Sequence, residues 1–273
     1  MSLITISRQL GSLGSEISQA VGEKLNYEYV DKAKIEKALS DYGLNASVVE
    51  KFDEKKPPFW ESFQIQRRKF LHSLEAVIYD FAKKGNVLIV GRGGQVLLKD
   101  FPGVFHVRII APFGVRLTRL MALEGGDEKE ATRILHRSDR DSAGFLRSFF
   151  DTDWEDQGLY DLIINTQKIS VASGVKLIME SILSPEIKEG EKQIGGRLIE
   201  LALAHKVEAT LMGILENEFS SVKVQTKAGT VTIIGHVTSE ILKENCFEAA
   251  GRIEGVKRVD NQLYVVKQTY GAS

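Results

Sequence analysis

The stretch ISRQLGSLGSEIS, residues 6–18, follows directly on the apolar run LITI and decides how the first two-thirds of the chain is read. An apolar strand, a turn holding Gly11 and Gly14, and a helical pattern beginning near Ser15 give the outline of a phosphate-binding loop. Such a loop aims backbone N–H groups and the positive end of a helix dipole at an anion. The usual pattern, G-x-x-x-x-G-K-[ST], places a lysine just before the helix. Gly14 stands there in this chain, and Glu16, two residues on, offers no hydroxyl for Mg²⁺. The glycines are spaced G-x-x-G, so the dinucleotide fingerprint G-x-G-x-x-G is not met either. Taken alone, the residues read equally well as an anion cradle and as an ordinary strand-to-helix turn.

Outward from this loop, LITIS (3–7), YEYV (27–30), VLIV (87–90), FHVRII (105–110) and LIINT (162–166) read as strands. Between them, residues 15–25, 61–84 and 115–124 carry apolar residues at helical spacing. Strands alternating with helices predict an α/β fold, a mainly parallel sheet with helices on both faces. The apolar runs barely alternate, as strands buried on both sides do. Ligands of such sheets bind beyond the carboxyl ends of the strands. Ser7-Arg8, Asp31, Gly91-Arg92 and Asn165-Thr166 fall there. The polar SPEIKEGEKQ (184–193) reads as a linker, which divides the chain into residues 1–183, a join at 184–196 and a tail at 197–273. The tail reads as a small α+β unit, helix–strand–strand–helix–strand, with KAG (227–229) turning a hairpin.

Composition narrows the function. The chain has 273 residues, 43% hydrophobic and 27% charged, enough for one large or two modest domains with a full core. Cys246 stands alone, which excludes an internal disulfide and predicts a reducing, cytoplasmic setting. No secretory signal and no membrane-spanning apolar run is visible. A net charge of −1 gives no bulk attraction to nucleic acid, and no nucleic-acid partner is expected. The five histidines (72, 106, 136, 205, 236) show no ligand spacing with one another or with Cys246, so no metal ligand set is predicted. His106, inside an apolar strand, is expected to be a core histidine.

ISRQLGSLGSEI, YEYVDK, VGRGG (90–94), IIAPFGVRLTRL (109–120), SDRD (138–141) and YDLIINT (160–166) together resemble the cytidylate kinase-like family of P-loop proteins over about residues 1–182. The missing lysine is a habit of that family. The resemblance implies a P-loop NTPase fold, a three-layer parallel sheet with helices on both faces. It implies phosphoryl transfer from ATP, with Mg²⁺, to a nucleoside monophosphate such as CMP or a similar small acceptor. A non-catalytic nucleotide-binding regulator is the alternative from another class. Phosphoryl transfer needs positive charge and in-line positioning more than covalent help, and Arg8 is the candidate to stand in for the lysine. Gly11, Ser12, Gly14 and Ser15 are the expected phosphate-binding residues. By resemblance Arg92 and Asp31 lie on the acceptor, while Asp31 also fits the N-cap of the following helix. In cytidylate kinases an aspartate that helps read cytosine follows the arginine; here Gly93 follows it.

Residues 127–150 correspond to a lid in related kinases. Arg133, Arg137, Arg140 and Arg147 share one stripe of a continuous helix there. Arg137 and Arg140 are expected to meet the transferring charge. Arg137 with Asp141 matches an R-x-x-x-D pair that places Asp141 on the acceptor side. The aromatics of FFDTDW (149–154) are expected to pack the lid, and Arg116 and Arg119 to form salt bridges.

The tail, with Gly229 at its hairpin, VTIIGHV (231–237) and the ending GVKRVDNQL, resembles a BON domain. BON domains are associated with phospholipid and other hydrophobic partners. Nine Lys/Arg oppose nine Asp/Glu over residues 194–273. This neutral balance ranks association with protein, or with a second copy of the chain, ahead of small-ligand sensing and of membrane lipid.

Overall fold

The structure is a computed structural model and describes residues 2–41, 44, 64–125 and 127–266. In chain order its principal elements begin with β1 (Leu3–Arg8), α1 (Gly14–Leu25), β2 (Glu28–Val30), α2 (Lys32–Asp41) and α3 (Gln64–Ala82). There follow β3 (Val87–Val90), α4 (Gly94–Leu97), β4 (Val104–Ile110), α5 (Phe113–Glu124), α6 (Glu128–Phe150) and β5 (Leu162–Asn165). Last come α7 (Val171–Ile182), α8 (Pro185–Glu191), α9 (Gly195–Leu215), β6 (Val222–Lys227), β7 (Thr230–Val237), α10 (Glu240–Gly251) and β8 (Arg258–Val265). The described residues fall into two compact units: 2–35 with 84–195, and 36–41, 44, 64–83 with 196–266. None of the described helices is long and apolar enough to cross a membrane.

In the first unit five parallel strands form one sheet in the order β2-β3-β1-β4-β5. β1 is central because every residue from Leu3 to Ser7 is apolar or small enough to be buried on both sides. Ile4 and Ile6 pair with Leu88 and Val90 on one side and with Phe105 and Val107 on the other. These side chains meet Ile17 and Val21 of α1 and Val175, Ile178 and Ile182 of α7 in one core. Each such aliphatic side chain contributes roughly 1.5–3 kcal/mol on burial. The opposite face carries Thr5, Ser7, His106 and Arg108, with α4 brought onto Ile89 and Thr5 by Gly94.

His106 is the expected core histidine: its Nδ1 shares a 2.7 Å hydrogen bond with Thr5 Oγ1. Burial lowers its pKa, against the pull of Asp161.

The expected strands fall close to their places, and the predicted helix at 61–84 is α3, residues 61–63 lying outside the described ones. The segment read as a linker contains a short helix, α8, and the boundary between the two units falls at the end of that segment, between Gly195 and Gly196. Ser184 caps Ile187 N, Pro185 opens α8, and Gly190 lies so close to Pro102 and Gly103 that a Cβ would meet Pro102 O at 2.4 Å. The Ser184 cap and Pro185 at the first helical position are helix-start signals.

In the second unit, β6 and β7 form the expected hairpin through Ala228 and Gly229, both with positive φ, and β8 joins β7 in parallel. Val207, Leu211, Val231, Ile233, Cys246, Ala250 and Leu263 make a core between this sheet and α9 and α10. α3 belongs to the same unit.

Candidate active site

The turn after β1 is built so that its carbonyls point into the protein. Gln9 O accepts from Ser12 N at 3.2 Å and Ser12 Oγ at 2.7 Å. Leu10 O accepts from Arg116, Gly11 O from Arg119, and Ser12 O from Thr166 Oγ1 at 2.8 Å. Gly11 (φ 76°) and Leu13 (φ 61°) take the left-handed backbone that bends the chain into α1. The first amides of α1 have no intrahelical acceptor, so N–H groups at Gly14, Ser15 and Glu16 edge the turn. Sequence reasoning expected Ser12 to meet a ligand. Its hydroxyl and amide are both spent on Gln9 O and its side chain is wholly buried, so it shapes the loop from inside. Ser15 stays exposed at the helix start.

Gly14 has its own role. A Cβ there would lie 2.4 Å from Arg8 Cβ and 2.8 Å from its Cγ. The space vacated by the lysine is thus crossed by the Arg8 side chain, whose Nη1 reaches a point 3.5 Å from where a Cβ at Gly91 would lie. Burial lowers the Arg8 pKa, Tyr29 and Asp31 work against that, and the like charge of Arg92 adds to it. An arginine remains protonated nonetheless. Its charge is held where an anion would relieve its desolvation.

Arg92 lies in a run of three left-handed residues, Gly91, Arg92 and Gly93, with φ of 76°, 54° and 73°. Left-handed backbone at a non-glycine residue is strained and recurs at functional sites. The Arg92 guanidinium lies 5.4 Å from the centre of the Phe145 ring on α6. At Gly93 a Cβ would fall 2.4 Å from Phe150 Cε2, so the last turn of α6 fills the room of any side chain at this position.

Arg8, Arg92 and Arg137 line one cavity of about 350 Å³ at the carboxyl ends of β1 and β3, with Lys32, Asp141, Phe145 and Trp154. Trp154 is buried and donates from Nε1 to Ser7 Oγ at 2.8 Å. Arg108, 5% exposed, stacks 4.6 Å from the Trp154 ring and fixes this wall from behind. The FFDTDW aromatics therefore pack, as expected, and one of them also faces the cavity.

α6 is continuous, yet of its arginine stripe Arg137 alone reaches the cavity. The lining comes chiefly from Ile134, Arg137, Ser138, Asp141, Ser142 and Phe145, with Leu146 at its edge. That face is centred roughly 110–150° around the helix from Arg133, Arg140 and Arg147, at about 100° per residue. Arg140 and Arg147 are exposed, and Arg133 pairs with Glu130 at 2.5 Å. Arg116 forms the expected salt bridge, a two-pronged one to Asp139 at 3.0 and 2.8 Å, tying α6 to α5 and to the loop. Arg119 bonds instead to Gly11 O and to Thr166. Asp31 does what its N-cap reading required, with Oδ1 accepting from Lys34 N at 3.0 Å. It also faces Arg8 electrostatically, although it lies outside the cavity lining.

A profile of the cytidylate kinase-like family matches residues 3–168. The chain belongs to that family. A BON domain profile matches residues 203–267. Among curated relatives, a cytidylate kinase of Natronomonas pharaonis is 26% identical over 198 residues, 71% of this chain and 97% of the relative. A cytidylate kinase of Pyrococcus horikoshii is 28% identical over 200 residues, again 71% of this chain and 97% of the relative. A solved structure of an uncharacterized protein from Eubacterium ventriosum shares the fold, with a TM-score of 0.55, 21% identity, and coverage of 67% of this chain and 99% of that one. The five-stranded parallel sheet is of the P-loop kinase type, followed by a BON domain with a small mixed sheet.

A further cluster lay outside the sequence reading. His72 and Glu75 of α3 meet His205 and Glu208 of α9 within the second unit. Its only sequence signal is the repeated H-x-x-E, HSLE at 72–75 and HKVE at 205–208, which sets both groups of each pair on one helix face.

Proposed function

We propose that residues 1–183 transfer a phosphoryl group from ATP to a nucleoside monophosphate, CMP or a close relative, or to a similar small phosphorylated acceptor. The observation that carries this reading is the convergence of three guanidinium groups, from Arg8, Arg92 and Arg137, on one cavity beside the turn into α1. In the proposal the free amides at the start of α1 cradle the donor phosphates. Arg8 supplies the charge a loop lysine would, which catalysis of this type requires at the moving phosphoryl group. Arg92 holds the acceptor phosphate and Arg137 neutralises developing charge. A forked guanidinium suits both tasks because it meets phosphate oxygens two at a time.

Mg²⁺ would accompany ATP. It keeps several waters and binds mainly through substrate phosphates, and the exposed hydroxyl of Ser15 is the loop side chain that fits it; Ser12 does not, its hydroxyl being committed to Gln9 O. Asp141 completes the acceptor side, and Arg140 would have to turn inward to take part. A phosphate acceptor needs no strong base, since its oxygens are already ionised at neutral pH. With Phe150 filling the space beside Gly93, the base of the acceptor would meet the Phe145 and Trp154 rings rather than a carboxylate at position 93. An ATP-dependent reaction fits the cytoplasm. The BON domain, from residue 197 on, is proposed to associate with protein or with itself. Exposed Ile241 and Tyr264, 73% and 61% accessible, support that part.

The test is steady-state kinetics with ATP and Mg²⁺ over a panel of nucleoside monophosphates, wild type beside Arg92→Ala. The expected result is a KM for the acceptor raised at least tenfold with a smaller change in kcat, the pattern of lost substrate binding. Unchanged kinetics in the variant would remove Arg92 from the site.

A further inference from the structure

The strongest unassigned feature is the pair of H-x-x-E motifs. His72 Nδ1 and His205 Nδ1 lie 3.4 Å apart, and Glu208 Oε2 lies 3.1 and 3.0 Å from them. Glu75 Oε2 closes on the same two nitrogens at 3.3 and 3.0 Å. Both Oε2 atoms are enclosed, yet neither makes a hydrogen bond of acceptable angle to any neighbour among the described residues. Two imidazole nitrogens and the Glu208 carboxylate therefore converge, with the Glu75 carboxylate against the same two nitrogens. Three donors of one face, His72, His205 and Glu208, could serve a single ion.

Their separations match the edges of a metal polyhedron. With metal–ligand bonds of about 2.0–2.1 Å, the ligand–ligand edge is roughly 3.4 Å in a tetrahedron and roughly 3.0 Å on an octahedral face. Two imidazoles with one carboxylate are a recurrent donor set for Zn²⁺ and other first-row divalent ions. The surroundings hold the rings in place. Tyr79 stacks on His205 with ring centres 5.4 Å apart, and Phe219 meets the edge of His72 at 5.9 Å. The four side chains are 16–23% accessible, so the point is shielded but not sealed.

Charge also balances. Two carboxylates with two protonated imidazoles sum to zero, and so do two carboxylates, two neutral imidazoles and one divalent cation. One metal ion can displace two protons without leaving net charge behind.

We propose that His72, His205 and Glu208, with Glu75 orienting the two imidazoles, bind one divalent first-row transition-metal ion of the Zn²⁺ type, bridging α3 and α9. The test uses the full chain, dialysed against chelator and then titrated with Zn²⁺ by calorimetry, with Co²⁺ as a spectroscopic probe. The expected result is one equivalent per chain, a visible Co²⁺ band of low-coordinate geometry, and release of about two protons near neutral pH, measured in buffers of different ionisation enthalpy. His205→Gln and Glu208→Gln, each checked for native circular dichroism, should weaken binding at least tenfold. If one variant fails to fold, the other and the wild-type proton count still decide. Folded wild type that takes up no stoichiometric metal, or variants that bind as tightly, would overturn the assignment and leave the cluster an ion-pair network.

Discussion

Gly93→Ala tests how the end of α6 closes over the loop after β3. Two costs add. The residue sits at φ 73°, where a Cβ meets the backbone, and the new methyl would stand 2.4 Å from Phe150 Cε2 and 2.8 Å from its Cζ. Left-handed backbone costs a non-glycine residue roughly 1–2 kcal/mol, and overpacking against a ring costs roughly 1–3 kcal/mol. The sum of roughly 2–5 kcal/mol corresponds to a fall on the order of 5–15 °C in the Tm of a domain of this size. Only the steric part depends on Phe150. In a cycle of Gly93→Ala, Phe150→Ala and the double variant, measured by calorimetry, the double variant should therefore be more stable than additivity predicts by about 1–3 kcal/mol. Additivity within about 0.5 kcal/mol would refute the contact, and with it the reason position 93 carries no side chain.

Two further predictions concern charge. Arg116→Ala removes one partner of a bidentate ion pair that is 3% exposed on the arginine side and should destabilise the first unit by roughly 3–5 kcal/mol. A loss under about 1 kcal/mol in thermal unfolding would show that Asp139 is well solvated without it. The second concerns pH. Burial penalises the His72 and His205 imidazolium ions, but the Glu208 and Glu75 carboxylates outweigh it and raise both pKa values to about 9. A folded pKa above the unfolded 6.5 adds stability that is full below about pH 6.5 and is lost as pH rises through about 9. Metal-free protein should accordingly unfold more easily at pH 9 than at pH 6.5, and His72→Gln/His205→Gln should flatten that dependence. An unchanged slope in the double variant would exclude these two residues as its source.

Much of the fold was legible because buried parallel strands are bare apolar runs; VLIV at 87–90 coincides with β3. The hairpin at 227–229 was legible because Gly229 supplies the positive φ of the turn at no steric cost. The helix inside the segment read as a linker was not anticipated because its charge and proline drew attention from the Ser-Pro start of α8, a short helix held by its contact with Gly103. In the site, the motif residues Arg8, Arg92, Arg137 and Asp141 come together. Ser12 could not be judged from sequence, since whether a loop hydroxyl faces a ligand or its own backbone is a matter of torsion. The arginine stripe failed for a related reason: periodicity says which residues share a face, not which face meets the cavity. The filling of the space at Gly93 by Phe150 and the meeting of residues 72 and 205 are contacts between distant segments, to which local spacing is blind. The passage of Arg8 over Gly14 depends on how the turn between them bends.

The central claim is that an arginine on β1 does the work of the absent loop lysine. The most direct measurement is phosphoryl transfer from ATP with Mg²⁺ to a panel of nucleoside monophosphates, comparing wild type with Arg8→Ala and Arg8→Lys, and monitoring ATP binding by calorimetry in each. The prediction is turnover of at least one acceptor by wild type, a fall of 10²-fold or more in Arg8→Ala, on the scale of losing one charge-stabilising donor, and partial recovery in Arg8→Lys. Turnover in Arg8→Ala equal to wild type, or ATP binding by wild type without transfer to any acceptor, would contradict it.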